Sequence, residues 1–325
     1  MSYQIKILIL SFLTSLLVSL IVIPLLRKLK VGQIEREDGP QSHLKKQGTP
    51  TMGGIVMIIS IIIMAVLMSA QYIKSEPEMV KNLIPLILVT LGFGLIGLID
   101  DFKKLVLKNT EGLKPAFKML GLLIISVIFV IYLLKFMNIG TETFVPILKK
   151  YITIPVIIYI PFAILVMLAA TNAVNLTDGI DGLATSVTTI IIACLTVMGI
   201  IYNVKEVVIF GSIVCGVNLG FLLFNMHPAK VFMGDTGSLL LGGAIVSIAL
   251  YLKIPLLLIV IAFIPVIETF SVIMQVAYFK KTGKRIFKMT PIHHHFELSG
   301  WNENKIVTVF SLVTLVLCVI GLNII

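Results

Sequence analysis

The sequence predicts an all-α, polytopic integral membrane protein of about ten transmembrane helices, the ninth broken or bent, with its active site on cytoplasmic loops. Three observations carry that expectation. Of 325 residues, 58% are hydrophobic and 13% charged, about half the charged share of a soluble domain, and mean hydropathy is +1.07. Apolar windows recur along the chain at the ~20-residue length a helix needs to cross a bilayer. The charges that do occur collect in alternate connections. A soluble enzyme is thereby excluded. So is disorder, which combines low hydrophobicity with high net charge. No large extramembrane domain fits, and residues 1–325 read as a single transmembrane domain.

The windows fall near residues 4–26, 53–71, 83–100, 116–137, 152–171, 183–202, 207–224, 238–252, 254–279 and 304–324. The first run, Ile5 to Leu26, exceeds a signal-peptide core and lacks a small-x-small cleavage motif before Arg27, so it reads as a retained span. The eighth is short and rich in glycine. The ninth contains Pro265 and Glu268, where a break or bend is expected. No internal repeat of the transporter kind is visible. Cys194, Cys215 and Cys318 all lie in apolar runs, which removes a disulfide framework and a Cys-ligated zinc site.

Ten spans sort the connections into two sets. The loops at about 27–52, 101–115, 172–182, 225–237 and 280–303, with their adjoining helix ends, hold 18 of the 26 Lys and Arg residues, against 8 on the other side. The positive-inside rule then places the first set in the cytoplasm and both termini outside. The net charge of +10 follows from that topology and suits anionic headgroups of membrane lipids, with no nucleic acid partner expected. Yet the same loops also carry Asp100, Asp101, Asp178, Asp181, Asp235 and all five histidines. Topology alone does not require them.

The third window ends Gly-Leu-Ile-Asp-Asp-Phe-Lys-Lys, which sets Asp100 and Asp101 at a helix C-terminus, where carboxylates oppose the macrodipole. Lys103 and Lys104 could neutralise a merely solvated helix end; otherwise the carboxylates stand beside phosphate-binding lysines. The stretch Thr171–Gly182, TNAVNLTDGIDG, packs two Asn, two Asp and two Gly into twelve residues. An Asp178 N-cap with Asp181 at the third position would explain the acids. Asn172, Asn175 and the second glycine are better explained by a backbone folded around a polar ligand. In Asn225–Ser238, NMHPAKVFMGDTGS, Asp235 is again either an N-cap or part of a magnesium–phosphate centre, since Mg²⁺ takes one or two carboxylates and completes its shell with water and phosphate.

The ninth connection carries Lys280, Lys281, Lys284, Arg285 and Lys288, then Pro291-Ile292-His293-His294-His295-Phe296-Glu297. Without HExxH spacing or a Cys partner, the histidines are a poor zinc signal and suit hydrogen bonds to phosphate, or a polar surface patch. The first connection, SHLKKQGTPTMGG at 42–54, mixes Lys45, Lys46 and Thr49 with turn residues but is no Walker A loop. A GxSxG elbow and a GxGxxG turn are both missing, which leaves a hydrolase triad and dinucleotide binding unsupported. Several carboxylates, many cations and clustered histidines on one membrane face suit Mg²⁺-assisted phosphoryl-group chemistry. A transporter of anionic solutes, with Glu268 and the broken ninth helix lining its pathway, is the rival from another class.

Asp100-Asp101-Phe102, TNAVNLTDGIDG, FMGDTGS at 232–238, PIHHHFE at 291–297 and the 42–54 loop together resemble the phospho-N-acetylmuramoyl-pentapeptide transferases (translocase I) over the whole chain. The His triplet favours them over related polyprenyl-phosphate N-acetylhexosamine-1-phosphate transferases. The resemblance implies a homodimer that moves phospho-N-acetylmuramoyl-pentapeptide from its UDP-linked precursor to undecaprenyl phosphate, giving lipid I and UMP with Mg²⁺, in bacterial peptidoglycan synthesis. It implies Asp235 as the magnesium ligand, with Asp100, Asp101 and Asp178 near the phosphates. Asn175, Asp181 and Asn225 would line the nucleotide pocket, with Gly179 and Lys45 or Lys46 nearby, and Phe232 would stack on uracil. Gln275 and His293, His294 and His295 would bound the sugar–phosphate side. Asn172, Thr49 and Lys104 complete the expected substrate contacts. A phosphate monoester with its second pKa near ~6 is already largely dianionic. Direct attack on the β-phosphorus, with Asp100 positioning or deprotonating the lipid phosphate, is therefore expected ahead of a covalent aspartyl-phosphate.

Overall fold

The structure is a computed structural model that describes residues 2–29, 48–105 and 112–325. Among the described residues, ten helices are long and apolar enough to cross a membrane. They are α1 (Tyr3–Lys28), α2 (Gly54–Tyr72), α3 (Pro77–Leu105), α4 (Pro115–Lys135), α5 (Val156–Thr177), α6 (Leu183–Ile201), α7 (Lys205–Asn225), α8 (Gly234–Tyr251), α10 (Phe263–Thr282) and α12 (Glu303–Ile324), with short helices α9 (Leu258–Ile261) and α11 (Ile292–Glu297) between them.

Helix ends follow local chemistry. Arg27 and Lys28 close α1 where cations favour the dipole, and Pro115 opens α4 at the position where its missing N–H costs nothing. A hairpin of β1 (Glu142–Val145) and β2 (Lys150–Thr153) pairs antiparallel, Glu142 opposite Thr153 and Val145 opposite Lys150. Strand pairing here and Pro155 at the N-cap delay α5 to Val156, later than the window at 152 suggests.

The expected break in the ninth span is present, and it falls at Ala262, three residues before Pro265. Pro265 cannot donate to the carbonyl four residues back, at Ile261, and its ring crowds that carbonyl, so the helix ends there and restarts with Pro265 in its first turn. The longer part, α10, differs sharply in surroundings from α8. Of the membrane window in α8, 89% is buried inside the protein, against 22% for α10. Helix α8 is therefore the axis of the bundle, and its glycine content, which lowers hydropathy, is what permits the close packing. Where α3 crosses it, a methyl on Gly97 would overlap the carbonyl of Asp235. The same small-residue logic seats Ser11 and Ser15 of α1 on Gly216 and Gly220 of α7.

Candidate active site

Helix α3 does not stop at Asp100 and Asp101 but runs one turn further, to Leu105. The extra turn places Lys104 above Asp100 on the same face, Nζ to Oδ2 2.8 Å. Lys118, in the first turn of α4, reaches the same Asp100 oxygen at 3.4 Å, and the backbone N–H of Leu113 donates to the other at 2.7 Å. Acids near a helix C-terminus and a lysine at a helix N-terminus are each locally unfavourable. Here they offset one another across the α3–α4 connection.

Asp235 completes the cluster. It is not the N-cap of α8, a position taken by Met233, but lies inside the first turn. Its Oδ2 accepts from Lys104 at 2.8 Å and Lys118 at 2.9 Å, and its Oδ1 accepts from Asn175 Nδ2 at 2.7 Å, which also donates to Ser238 Oγ at 2.8 Å. Asn175 therefore belongs to helix α5 rather than to a loop, as does Asn172, whose amide back-bonds to Leu168 O at 2.7 Å.

The N-terminus of α8 is capped from another helix. Asp101, 4% exposed, accepts from the backbone N–H of Asp235 (3.1 Å) and of Thr236 (2.9 Å) and from Thr236 Oγ1 (2.6 Å). Gly234 permits this: its φ is +70°, and a Cβ there would meet Asp101 Oδ2. The segment entering α2 is stitched alongside, with Phe232 N donating to Pro50 O (2.8 Å) and Gly53 N to Phe232 O (2.8 Å). Thr49 and the half-buried ring of Phe232 lie on this stitched segment.

Asp178 is the C-cap of α5 rather than the N-cap of α6, which is Gly182. Burial raises its carboxyl well above the usual carboxylate range, and the charges of Asp235, Asp101 and Asp181 push the same way. Gly179 beside it faces the ring of His293. Asp181 accepts at Oδ2 from Ala229 N at 3.0 Å and pairs with His227 Nδ1 at 2.9 Å, while its backbone N–H donates to Glu303 at 3.1 Å. Asn225 spans the base of this loop, donating to Val231 O at 3.0 Å.

The three histidines take different polar partners, while the rings of His293 and His294 pack with centroids 4.1 Å apart. His293 pairs with Glu268 (3.0 Å) and His294 with Glu297 (2.7 Å), while His295 Nδ1 accepts from Lys288 N (3.1 Å). Gln275 spends its amide on the loop that follows, accepting from Ile286 N (2.9 Å) and Phe287 N (3.1 Å). Glu268 is fully enclosed among the described residues. Lys45 and Lys46 lie outside the described residues. The sequence reading missed Lys118, which had counted only toward topology, and Ser238. Their one signal was position, a cation in the first turn of α4 and a hydroxyl at the start of the second turn of α8.

As a donor set the cluster fits a hard divalent cation. Two carboxylates, Asp100 and Asp235, share two ammonium groups, and Asp101 lies against the backbone of Asp235. The oxygens of Asp100 and Asp235 converge on the same two Nζ atoms, where oxygen ligands suit Mg²⁺. Lysines and helix N-terminal amides around it would hold phosphate oxygens.

Residues 83–253 match the model of glycosyl transferase family 4. Relatives named phospho-N-acetylmuramoyl-pentapeptide-transferase are similar over nearly the whole chain. The one from Acetivibrio thermocellus is 48% identical over 96% of this chain and 92% of its own. That from Clostridium acetobutylicum is 48% identical over 96% and 95%, and that from Clostridium novyi 49% identical over 99% and 96%.

Proposed function

Because the chain belongs to the phospho-N-acetylmuramoyl-pentapeptide-transferase family, we propose that it moves phospho-N-acetylmuramoyl-pentapeptide from UDP to undecaprenyl phosphate, forming lipid I and UMP. Full-length similarity to relatives of that name supports the substrate class. The observation that carries the chemistry is the convergence of Asp100 and Asp235 on Lys104 and Lys118 at the N-terminus of the most buried helix.

Asp100 and Asp235 are the groups that would hold Mg²⁺. When bound, the ion supplies neutralisation of charge developing on the diphosphate. Lys104 and Lys118, released from the carboxylates, turn to phosphate oxygens. Asn175 keeps Asp235 oriented, and Asp101 keeps the helix end that carries Asp235 in place. Asp100, in the last turns of α3, positions the lipid phosphate for direct attack on the β-phosphorus. Phe232 offers a face for uracil, and Asp181 and Asn225 brace the loop around it. The excess of lysine and arginine at this end argues that it faces the cytoplasm, with both termini outside.

The decisive experiment offers purified protein UDP-N-acetylmuramoyl-pentapeptide or UDP-N-acetylglucosamine, each with undecaprenyl phosphate and Mg²⁺, and measures UMP. Release with the first substrate alone, abolished by EDTA and by Asp235→Ala, is expected. Release only with the second would assign the chain to the related hexosamine-phosphate transferases. UMP release without lipid acceptor, or a trapped phosphoenzyme, would replace direct attack by the covalent route.

A further inference from the structure

A second buried ionisable pair adjoins the Asp178–Gly179 turn. Glu268 of α10 and His293 of α11 are both wholly enclosed. Glu268 Oε1 lies 3.0 Å from His293 Nδ1, and the His293 backbone N–H donates to Oε2 at 3.4 Å. A carboxylate only accepts, so the proton of the ring faces it from Nδ1. Across the ring, Nε2 has no hydrogen-bond partner among the described residues.

That nitrogen points at Gly179, where a Cβ would collide with the imidazole. Buried imidazole nitrogens are normally satisfied on both sides. Here one side is satisfied by a buried acid, and the other is enclosed against a residue without a side chain. Beyond Gly179 lies Asp178, close enough to feel the charge of Asp235. The ring of His294 packs on that of His293, centroids 4.1 Å apart, but pairs with Glu297, and His295 bonds the Lys288 backbone.

We propose that Glu268 is a positioning residue for the transfer reaction: it holds a proton on Nδ1 of His293 and so fixes Nε2 as an acceptor against the Asp178–Gly179 turn, setting that turn for the phosphates of the bound nucleotide substrate. The inference rests on the transferase reading above. It converts Glu268 from a candidate pathway residue into the group that fixes the tautomer and direction of the imidazole, the role a buried acid has behind a reactive histidine.

Glu268→Gln, in the full-length protein, isolates that role. The glutamine has one acceptor where the carboxylate has two. If its oxygen takes the His293 backbone N–H, its NH₂ meets Nδ1, and the ring proton moves to Nε2. We expect kcat for UMP release to fall ~10²- to 10⁴-fold, with KM for UDP-N-acetylmuramoyl-pentapeptide within ~3-fold of wild type. Glu268→Asp, which keeps two acceptors and the charge, should recover part of the loss. In a His293→Gln background, adding Glu268→Gln should cost nothing further, because the two act as a unit. Independently of any Glu268 variant, ¹⁵N-histidine spectra of the wild-type protein, with His293 assigned by difference from His293→Gln, should show a protonated Nδ1.

A folded Glu268→Gln enzyme that keeps kcat within ~3-fold, or losses that multiply in the double variant, would overturn the proposal. So would an unprotonated Nδ1 in the wild-type spectrum, which decides the matter if Glu268→Gln does not fold. A wild-type protein that releases no UMP from either UDP-sugar would instead overturn the transferase reading, and the tautomer spectrum would still test the hold of Glu268 on His293.

Discussion

Asp101→Asn separates support from chemistry at this site. The wild-type carboxylate is 4% exposed and accepts three hydrogen bonds from the first turn of α8. An asparagine best serves Thr236 N–H and Oγ1 with its oxygen, turning its NH₂ toward the N–H of Asp235. One buried N–H is then unpaired, which costs about 1–3 kcal/mol, and the two surviving bonds lose their charge assistance, about 1 kcal/mol each. The total is about 3–5 kcal/mol. At about 2 °C per kcal/mol for a chain of this size, Tm should fall by ~5–10 °C. Cys194, Cys215 and Cys318 are free and buried, so a thiol-reactive fluorophore reports unfolding in detergent directly. Asp100→Asn is the control: its carboxylate is held mainly by two lysines and one N–H, and it should lose turnover with a smaller change in Tm. If Asp101→Asn melts within ~2 °C of wild type, the capping argument fails.

Three further predictions rest on the same geometry. Lys118→Ala should lower kcat/KM by ~10- to 100-fold, equivalent to about 1–3 kcal/mol. Lys104→Ala should cost less, since its side chain is 38% exposed against 17% for Lys118; steady-state UMP release would show the reverse order if this is wrong. Phe232→Ala should weaken UDP-substrate binding by about 1–3 kcal/mol, ~5- to 150-fold in Kd, measured calorimetrically, and an unchanged Kd would remove the stacking role. Asp178 has its carboxyl raised by burial, so the folded protein holds that proton more tightly than the unfolded chain does. The associated stability is present at low pH and lost as pH rises past the ordinary carboxylate range. In metal-free buffer Asp178→Asn should therefore melt above wild type at neutral pH, with the gap closing on acidification; a pH-independent gap would contradict the raised carboxyl.

Much of the site was legible one residue at a time. Asp100, Asp178 and Asp235 stood out because a carboxylate is expensive in so apolar a chain, and alternation of the connections was enough to gather them at one end. The capping alternatives for Asp178 and Asp235 fail for a shared reason. Helix α5 continues to Thr177, so Asp178 closes it, and α8 begins at Gly234, ahead of Asp235. Polar residues in those turns are tolerated in helix because their side chains find partners on other helices. Asn175 is the clearest case, its amide divided between Asp235 and Ser238.

Sequence by itself determined how many times the chain crosses the membrane, roughly where, and which polar groups share a side, because crossing a hydrocarbon layer is a one-dimensional requirement on length and polarity. It also carried the family motifs in order. Only the tertiary structure decided who pairs with whom. Lys118 meets Asp235 across 117 residues, Asp101 caps a helix 134 positions away, and Glu268 backs His293 from a different helix. Apolar periodicity says that a face is buried but not against which neighbour, and a buried polar group takes its meaning from that neighbour.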